Sequence, residues 1–180
     1  MILTKRGGRH YRVCDPDWKD CLDTSFSRRE GARWNAPDSF GVLHLCASID
    51  VAAANARKHY QGEIHSLFDL EPQFQPVLMQ VNVRLSDFVD CVTNDGLRDV
   101  GLPLGYPTGV TWIRTRDVGR RAYALPSAHG IACRSAVLPE REELAVFDRA
   151  LEIVRAGKRH PFASWYPPLR AGGLRRAALE

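Results

Sequence analysis

The sequence predicts a single domain of the α+β class, and three observations lead to that prediction. The chain has 180 residues, about the length of one domain. Hydrophobic residues make up 44% of it, which is enough to fill one core. Segments typical of strands and of helices interleave without a regular repeat, which favours α+β over a doubly wound α/β sheet. We place the domain at residues 1–160 and a C-terminal tail at 161–180.

The first quarter of the chain predicts two strands separated by a long polar segment. Residues 9–14 alternate enough between polar and apolar side chains to form a short strand. Residues 15–41 are rich in Asp, Ser, Arg, Gly and Pro and predict a loop, and a loop of such length is usually functional or disordered. Residues 41–46 have the composition of a buried strand. The long loop is therefore the first place to look for functional residues.

A helix and the clearest strand of the sequence follow. Residues 51–60 predict a helix because three successive alanines favour it, and either Ser48 or Asp50 can cap its N-terminus. Residues 76–85 alternate with a period of two, which predicts an antiparallel strand with one face in water. The predicted apolar face of that strand consists of Val77, Met79, Val81, Val83 and Leu85.

The second half of the chain is less regular. Gly and Pro interrupt residues 102–107, which predicts a loop, and residues 108–121 predict a helix. Residues 130–133 predict a short strand, whereas residues 140–156 fit a helix or a strand equally well. The tail from Pro161 has no hydrophobic period, so it is either a docking arm or loosely ordered. The apolar stripe of the predicted helix consists of Val110, Ile113 and Val118.

The net charge of +4 is modest but unevenly distributed. Residues 1–35 carry eight Lys or Arg against five Asp or Glu, and residues 151–180 carry six against two. Residues 61–100, in contrast, carry two against seven. This distribution fits a cationic face for an anionic ligand such as a phosphate. It also fits an ordinary solvated surface, because no run of five or more like charges occurs.

Several functional classes lack their sequence signatures. No apolar run approaches the roughly 18 residues of a membrane span, and no signal peptide opens the chain, so we expect a cytoplasmic protein without membrane contact. The five cysteines are odd in number and scattered, which suits reduced thiols. Phosphate-binding glycine loops, the serine-hydrolase elbow, zinc-ligand spacings and nucleic-acid-binding motifs are missing. The sequence therefore predicts no metal site, and it leaves nucleic acid open as a direct ligand.

The segment Arg-Arg-Glu-Gly-Ala-Arg-Trp-Asn at residues 28–35 carries the most chemistry. It places Arg28, Arg29 and Arg33 within six residues of one another. Guanidinium groups bind phosphate bidentately, and Gly31 lets a ligand approach the backbone closely. The segment therefore suits a nucleotide. The alternative is a solvated arginine loop whose tryptophan is anchored in the core.

Four segments together resemble the RES-domain family, the toxins of bacterial toxin–antitoxin pairs. They are Tyr11-Arg12 in the first strand, the Gly-Ala-Arg-Trp-Asn loop at 31–35, the strand end at 44–48, and Gly-Ile-Ala-Cys-Arg-Ser at 130–135. Their order is that of the family, and the arginine loop is the most specific of them. The resemblance covers about residues 10–148.

The resemblance implies a fold and an activity. Members of the family are similar in fold to ADP-ribosyltransferase toxins, which implies a split, mainly antiparallel sheet. They attack NAD⁺ by hydrolysis, by phosphorolysis or by transfer of ADP-ribose to a protein, which implies NAD⁺ as a substrate and no separate cofactor. The implied catalytic residues are Arg33, Asn55 and Ser135, and the implied NAD⁺-binding residues are Arg12, Arg33, Trp34, His44 and Ser135.

Three positions depart from the family pattern. His44 replaces a tyrosine, and a neutral imidazole can still stack or form a hydrogen bond. Asn55 stands where the family has a glutamate, and loss of such a charged group typically costs about 10²–10³ in rate. Glu30 and Glu63 are the candidates to substitute for it. Arg134 replaces a proline of the family pattern, either as a further phosphate contact or as a surface arginine.

The resemblance leaves three functions open. The first is a toxin that consumes NAD⁺ and is neutralised by an antitoxin that covers its cleft. The second is a binding protein that keeps the fold but has lost most of the catalysis, and the third is an ADP-ribosyltransferase acting on a protein. The antitoxin of such pairs usually carries a helix-turn-helix domain, so DNA contact would occur through the complex. The basic tail at 161–176 is a candidate docking segment for that partner, and a homo-oligomer stays open.

Overall fold

A computed structural model describes residues 1–61 and 66–166 of the chain. These residues form one six-stranded sheet with helices packed against it. Within that part of the chain, short helices and two 3₁₀ segments (Pro72–Phe74 and Asp148–Ile153) connect the strands. The strands are β1 (Leu3–Cys14), β2 (Val42–Cys46), β3 (Val77–Cys91), β4 (Gly130–Arg134), β5 (Glu142–Phe147) and β6 (Val154–His160). The helices are α1 (Ser25–Glu30), α2 (Ile49–His59), α3 (Asn94–Val100), α4 (Trp112–Tyr123) and α5 (Phe162–Trp165).

The sheet is mainly antiparallel, which confirms the predicted α+β class. Its strand order is β1-β2-β5-β4-β3-β6, and β1 also pairs with β3, so five of the strands form a ring. Among the strands of the described residues, only β3 and β4 pair in parallel. The ring is weakest between β1 and β2, which share a single residue pair, Tyr11 with Cys46. The sheet is therefore split along this seam.

The two longest strands extend beyond their predicted limits. β1 begins at Leu3 because its first residues pair with the second half of β3, a contact that local sequence does not reveal. The register shifts between Arg6 and Gly8, and Gly8 has a φ of +89°. Beyond the shift the alternation of β3 resets, so the prediction that Leu85 faces the core is wrong, and its side chain is exposed.

The other predicted elements differ in how well they match. The strands at 41–46 and 130–133 and the helix at 51–60 are confirmed, with Ser48 rather than Asp50 accepting the capping hydrogen bond from the backbone of Val51. The ambiguous segment 140–156 contains a strand, β5. The segment 15–41, predicted as a loop, contains the short helix α1. Helix α3 is an element that the sequence analysis does not predict. The predicted apolar stripe of α4 is confirmed for Val118, which is buried in the core, and wrong for Ile113, which is 82% exposed.

Apolar side chains cover both faces of the sheet. On β4 and β5, successive residues point alternately into two separate clusters, as the pleat of a strand requires. A third cluster lies under α2 and includes Trp165 and Tyr166, so the start of the predicted tail packs on the domain. Residues 167–180 of that tail, like Glu63, lie outside the described residues. Among the helices that are described, none is long and apolar enough to cross a membrane.

The close approach of α4 to the arginine loop predicts the effect of one substitution. A Cβ added at Gly119 would lie 1.7 Å from the carbonyl oxygen of Trp34, so Gly119→Ala must push the helix away from the loop. We expect the free energy of unfolding to fall by about 1–3 kcal/mol, as overpacking usually costs. Urea denaturation measures it. The matched control is Gly105→Ala, where the added Cβ meets no atom within 4 Å, and an equal loss in both variants would contradict the packing argument.

Candidate active site

A cavity of about 1210 Å³ opens along the seam between β1 and β2. Its inner wall carries Arg12 from β1, His44 from β2, Asn55 from α2 and Glu143 from β5, together with Arg33 from the arginine loop. Each of the five comes from a different segment of the chain. The weak β1–β2 pairing leaves room for their side chains. The exposed rim carries charges of both signs, namely Asp17, Asp20, Asp23, Lys19 and Lys58.

The arginine loop is anchored by the two residues that follow Arg33. Trp34 is fully buried in the core, where its ring lies 6.0 Å from that of Tyr106. Asn35 is also fully buried, and its Nδ2 donates hydrogen bonds to the carbonyls of Ser27 at 2.6 Å and Phe40 at 2.8 Å. Because Trp34 and Asn35 are both held inside the protein, the Arg33 side chain points into the cavity. The tryptophan thus supports the loop from behind, and its fully buried ring does not line the cavity, where the family resemblance implies a contact with NAD⁺.

Helix α4 holds the other side of the loop. The Thr115 hydroxyl donates to the carbonyl of Arg33 at 2.6 Å, and Arg116 Nε donates to the carbonyl of Ala32 at 3.0 Å. Gly31 precedes this segment with a φ of +74°, in the region that favours glycine. These contacts satisfy the backbone of the loop and fix the direction of the Arg33 side chain. The loop is therefore preorganised before any ligand binds.

Arg12 and Arg33 converge on the cavity, but their surroundings differ. Arg33 Nη1 lies 3.4 Å from Glu143 Oε2. Burial by itself lowers the pKa of Arg33, but Cys133, Tyr106 and Glu143 together raise it by more, so the net shift is upward. Arg12 makes no ion pair with any described residue, and its buried Nε has no hydrogen-bond partner there. Burial lowers the pKa of Arg12, and its guanidinium lies over the Trp18 ring at 5.5 Å from the ring centre.

His44 lies on the same wall and is uncharged. Burial, with additional repulsion from Arg33 and Arg12, lowers the pKa of His44 to about 3. Its Nε2 is buried and has no hydrogen-bond partner among the described residues. A neutral imidazole beside two guanidinium groups can accept or donate one hydrogen bond without adding positive charge.

The sequence did not predict the carboxylate of this site, Glu143. It is only 5% exposed, and its Oε1 accepts hydrogen bonds from Asn55 Nδ2 at 2.7 Å and from the Ser135 hydroxyl at 2.8 Å. Neither proposed substitute for a glutamate at position 55 is seen in the cavity. Glu30 is exposed and pairs with Arg29, and Glu63 is not among the described residues. The signal for Glu143 lies in its strand, since alternation along β5 turns one of two successive glutamates inward.

Ser135 and Arg134 lie away from the cavity wall. Ser135 is fully buried, and its hydroxyl accepts hydrogen bonds from the backbone of Val137 and Leu138 while donating to Glu143. Its expected direct contact with substrate does not match this position behind the carboxylate. Arg134 donates to the carbonyls of Val92 and Leu104 and so ties loops together, rather than facing a phosphate.

The described residues hold no group of three or more His, Cys, Asp and Glu side chains placed to bind a metal ion. All five cysteines are free and buried. On the inner wall of the cavity the structure places two guanidinium groups, one neutral imidazole and one hydrogen-bonded carboxylate.

Comparisons with known proteins match most of the chain. A family model described as "RES domain" matches residues 9–165. Among solved structures, one chain of the M. tuberculosis MbcT–MbcA toxin–antitoxin complex has the same fold, with a TM-score of 0.77 and 21% sequence identity. The alignment covers 94% of this chain and 92% of that chain. No curated protein matches the sequence.

The neutral state of His44 predicts a pH dependence of stability. Its pKa is near 3 in the folded protein and about 6.5 when unfolded, so below pH 6.5 the unfolded chain takes up a proton that the folded one does not. Between pH 7 and pH 5 this histidine should lower the free energy of unfolding by about 2 kcal/mol. Urea denaturation at pH 5, 6 and 7 measures the slope. His44→Asn should remove that part of it, and an unchanged slope in the variant would contradict the neutral assignment.

Proposed function

The chain belongs to the RES domain family, and from that premise we propose that it is a toxin that consumes NAD⁺ by cleaving the bond between nicotinamide and ribose. The acceptor is water or phosphate. A partner antitoxin holds this activity in check. The observation that carries the proposal is the convergence of Arg12 and Arg33, from β1 and from the arginine loop, on one cavity.

The unequal pairing of the two arginines supports a dinucleotide as the ligand. A buried guanidinium without a carboxylate is costly, so Arg12 favours a ligand that brings negative charge. The diphosphate of NAD⁺ brings two such charges, and guanidinium groups bind phosphate oxygens through paired hydrogen bonds. The cavity of about 1210 Å³ is also somewhat larger than the roughly 300–1,000 Å³ of typical small-molecule sites. Its size and its charge thus both suit a dinucleotide.

The reaction itself places a second demand on the site. When the nicotinamide–ribose bond breaks, nicotinamide leaves as a neutral molecule and positive charge develops on the ribose. A preorganised negative group near the ribose stabilises that charge, and an extra cation there would oppose it. His44 is neutral in this cavity and so adds no opposing charge. The inner wall thus combines anion-binding groups with one carboxylate.

The rim of the cavity supports the expected protein partner. Three aromatic side chains line the opening and stay exposed: Trp18 at 43%, Phe26 at 64% and Trp112 at 56%. Exposed aromatic groups around a cleft are typical of surfaces that a partner covers. The structural relative was solved as a toxin–antitoxin complex. We therefore propose an antitoxin that seats on this rim and closes the cavity, with a helix-turn-helix domain of its own making any contact with DNA.

Loss of either arginine should abolish toxicity. In cells that lack the antitoxin, inducing the wild-type protein should deplete NAD⁺ and stop growth, whereas Arg12→Ala and Arg33→Ala should leave both nearly normal. In vitro, each substitution should lower kcat/KM for release of nicotinamide from NAD⁺ by roughly 10- to 100-fold, the value of a charged hydrogen bond. The matched control is Arg84→Ala, on the exposed face of β3.

Two results would contradict this function. If the purified wild-type protein releases no nicotinamide from NAD⁺, and cellular NAD⁺ stays level on induction, the chain acts as a binding protein. If Arg84→Ala lowers the activity as much as the two cavity variants do, the effect does not come from the cavity.

A further inference from the structure

Glu143 is a buried acid that directly precedes the apolar part of its strand. The four residues that follow it in β5 are all buried hydrophobic side chains, and Glu143 itself is only 5% exposed. Placing a carboxylate in such surroundings is costly unless hydrogen bonds and opposite charge compensate. Its neighbour Glu142 points to the other face of the sheet, where it pairs with Arg6 at the surface. The inward direction of Glu143 therefore needs a reason.

The two oxygens of this carboxylate differ in their hydrogen bonding. Oε1 is held by two short hydrogen bonds, from Asn55 at 2.7 Å and from Ser135 at 2.8 Å. Oε2 has one contact among the described residues, with Arg33 Nη1 at 3.4 Å, which is longer than a charged hydrogen bond usually is. The carboxyl group is thus fixed through one oxygen, while the other retains lone pairs for a ligand in the cavity.

Asn55 stands at the family's glutamate position and touches this carboxylate directly. A glutamate at 55 would bring a second negative charge to within a few ångströms of Glu143, and two carboxylates at that distance repel one another. The amide instead donates a hydrogen bond. The cavity wall therefore has room for one carboxylate at this place, and in this chain it comes from β5 instead of from α2.

We propose that Glu143 is the catalytic carboxylate of this protein, positioned by Asn55 and Ser135, with Oε2 facing the ribose of NAD⁺. This inference rests on the NAD⁺-cleaving function proposed above. With water as the acceptor, the bond between ribose C1′ and the nicotinamide nitrogen breaks, and its electron pair stays on the nicotinamide nitrogen. The water oxygen then adds to C1′, and its proton passes to Oε2 and on to solvent. Glu143 stabilises the charge on the ribose during this exchange.

Replacing Glu143 by its amide tests the proposal in the full-length protein. Glu143→Gln keeps the shape of the side chain but removes the charge, so kcat for nicotinamide release should fall by about 10²–10³. Binding of carbocyclic NAD⁺, in which a methylene replaces the ribose ring oxygen, should change by less than about threefold in Kd, since the diphosphate contacts remain. Calorimetry measures that binding. Glu142→Gln, on the opposite face of the same strand, is the matched control and should cleave NAD⁺ normally.

A second variant covers the case in which the amide does not fold. Glu143→Asp keeps the charge but withdraws it from the cavity, and kcat should fall at least about tenfold while binding of the carbocyclic analogue persists. The inference is overturned if either folded variant keeps the wild-type kcat, or if kcat and analogue binding fall together. If the wild-type protein binds the analogue but does not cleave NAD⁺, the proposed function fails first and the role of Glu143 fails with it.

Discussion

Two guanidinium groups and one carboxylate share the inner wall of a cavity, and the balance among these three charges governs the rest of the site. Arg33 and Glu143 lie close enough to compensate one another in part, whereas Arg12 forms no ion pair within the described residues. One positive charge is therefore left over at depth, where water screens it poorly. Burial is the main reason why the pKa of His44 is low, and the excess positive charge lowers it further. The same excess suits the cavity to an anionic ligand.

The topology of the sheet is what brings these charges together. β1 and β2 share a single residue pair, so the ring of strands has a seam at which side chains, instead of backbone hydrogen bonds, fill the space. Arg12 and His44 come from the two strands beside the seam, and Glu143 comes from the next strand in order. Arg33 reaches the same place because the buried Trp34 and the contacts from α4 hold its loop against the sheet. The fold thus supplies rigid supports on several sides of the cavity, which favours a preorganised site.

Local pattern was enough to predict the strands whose alternation is uninterrupted, and it failed where the outcome depends on a partner. Leu85 follows a register shift that is set by β1, and no residue near it in the sequence records that shift. Ile113 was assigned to a buried stripe by its hydrophobicity, but α4 packs through small residues such as Gly119, which let the helix approach the Trp34 backbone closely. Periodicity of hydrophobic residues does not detect such a surface.

The site was predicted in part for the same reason. The arginine loop is a contiguous motif, and its chemistry can be inferred from the residues alone. Glu143 lies in a segment that fits a helix or a strand, and an acidic residue there is ordinarily assigned to solvent. Its role depends on a residue distant in sequence: the amide at position 55 donates a hydrogen bond, and Glu143 beside it on the same wall accepts that bond. What such a site must preserve is one negative oxygen facing the ligand, and a comparison by motif, which examines position 55 alone, misses a carboxylate supplied by the neighbouring strand β5.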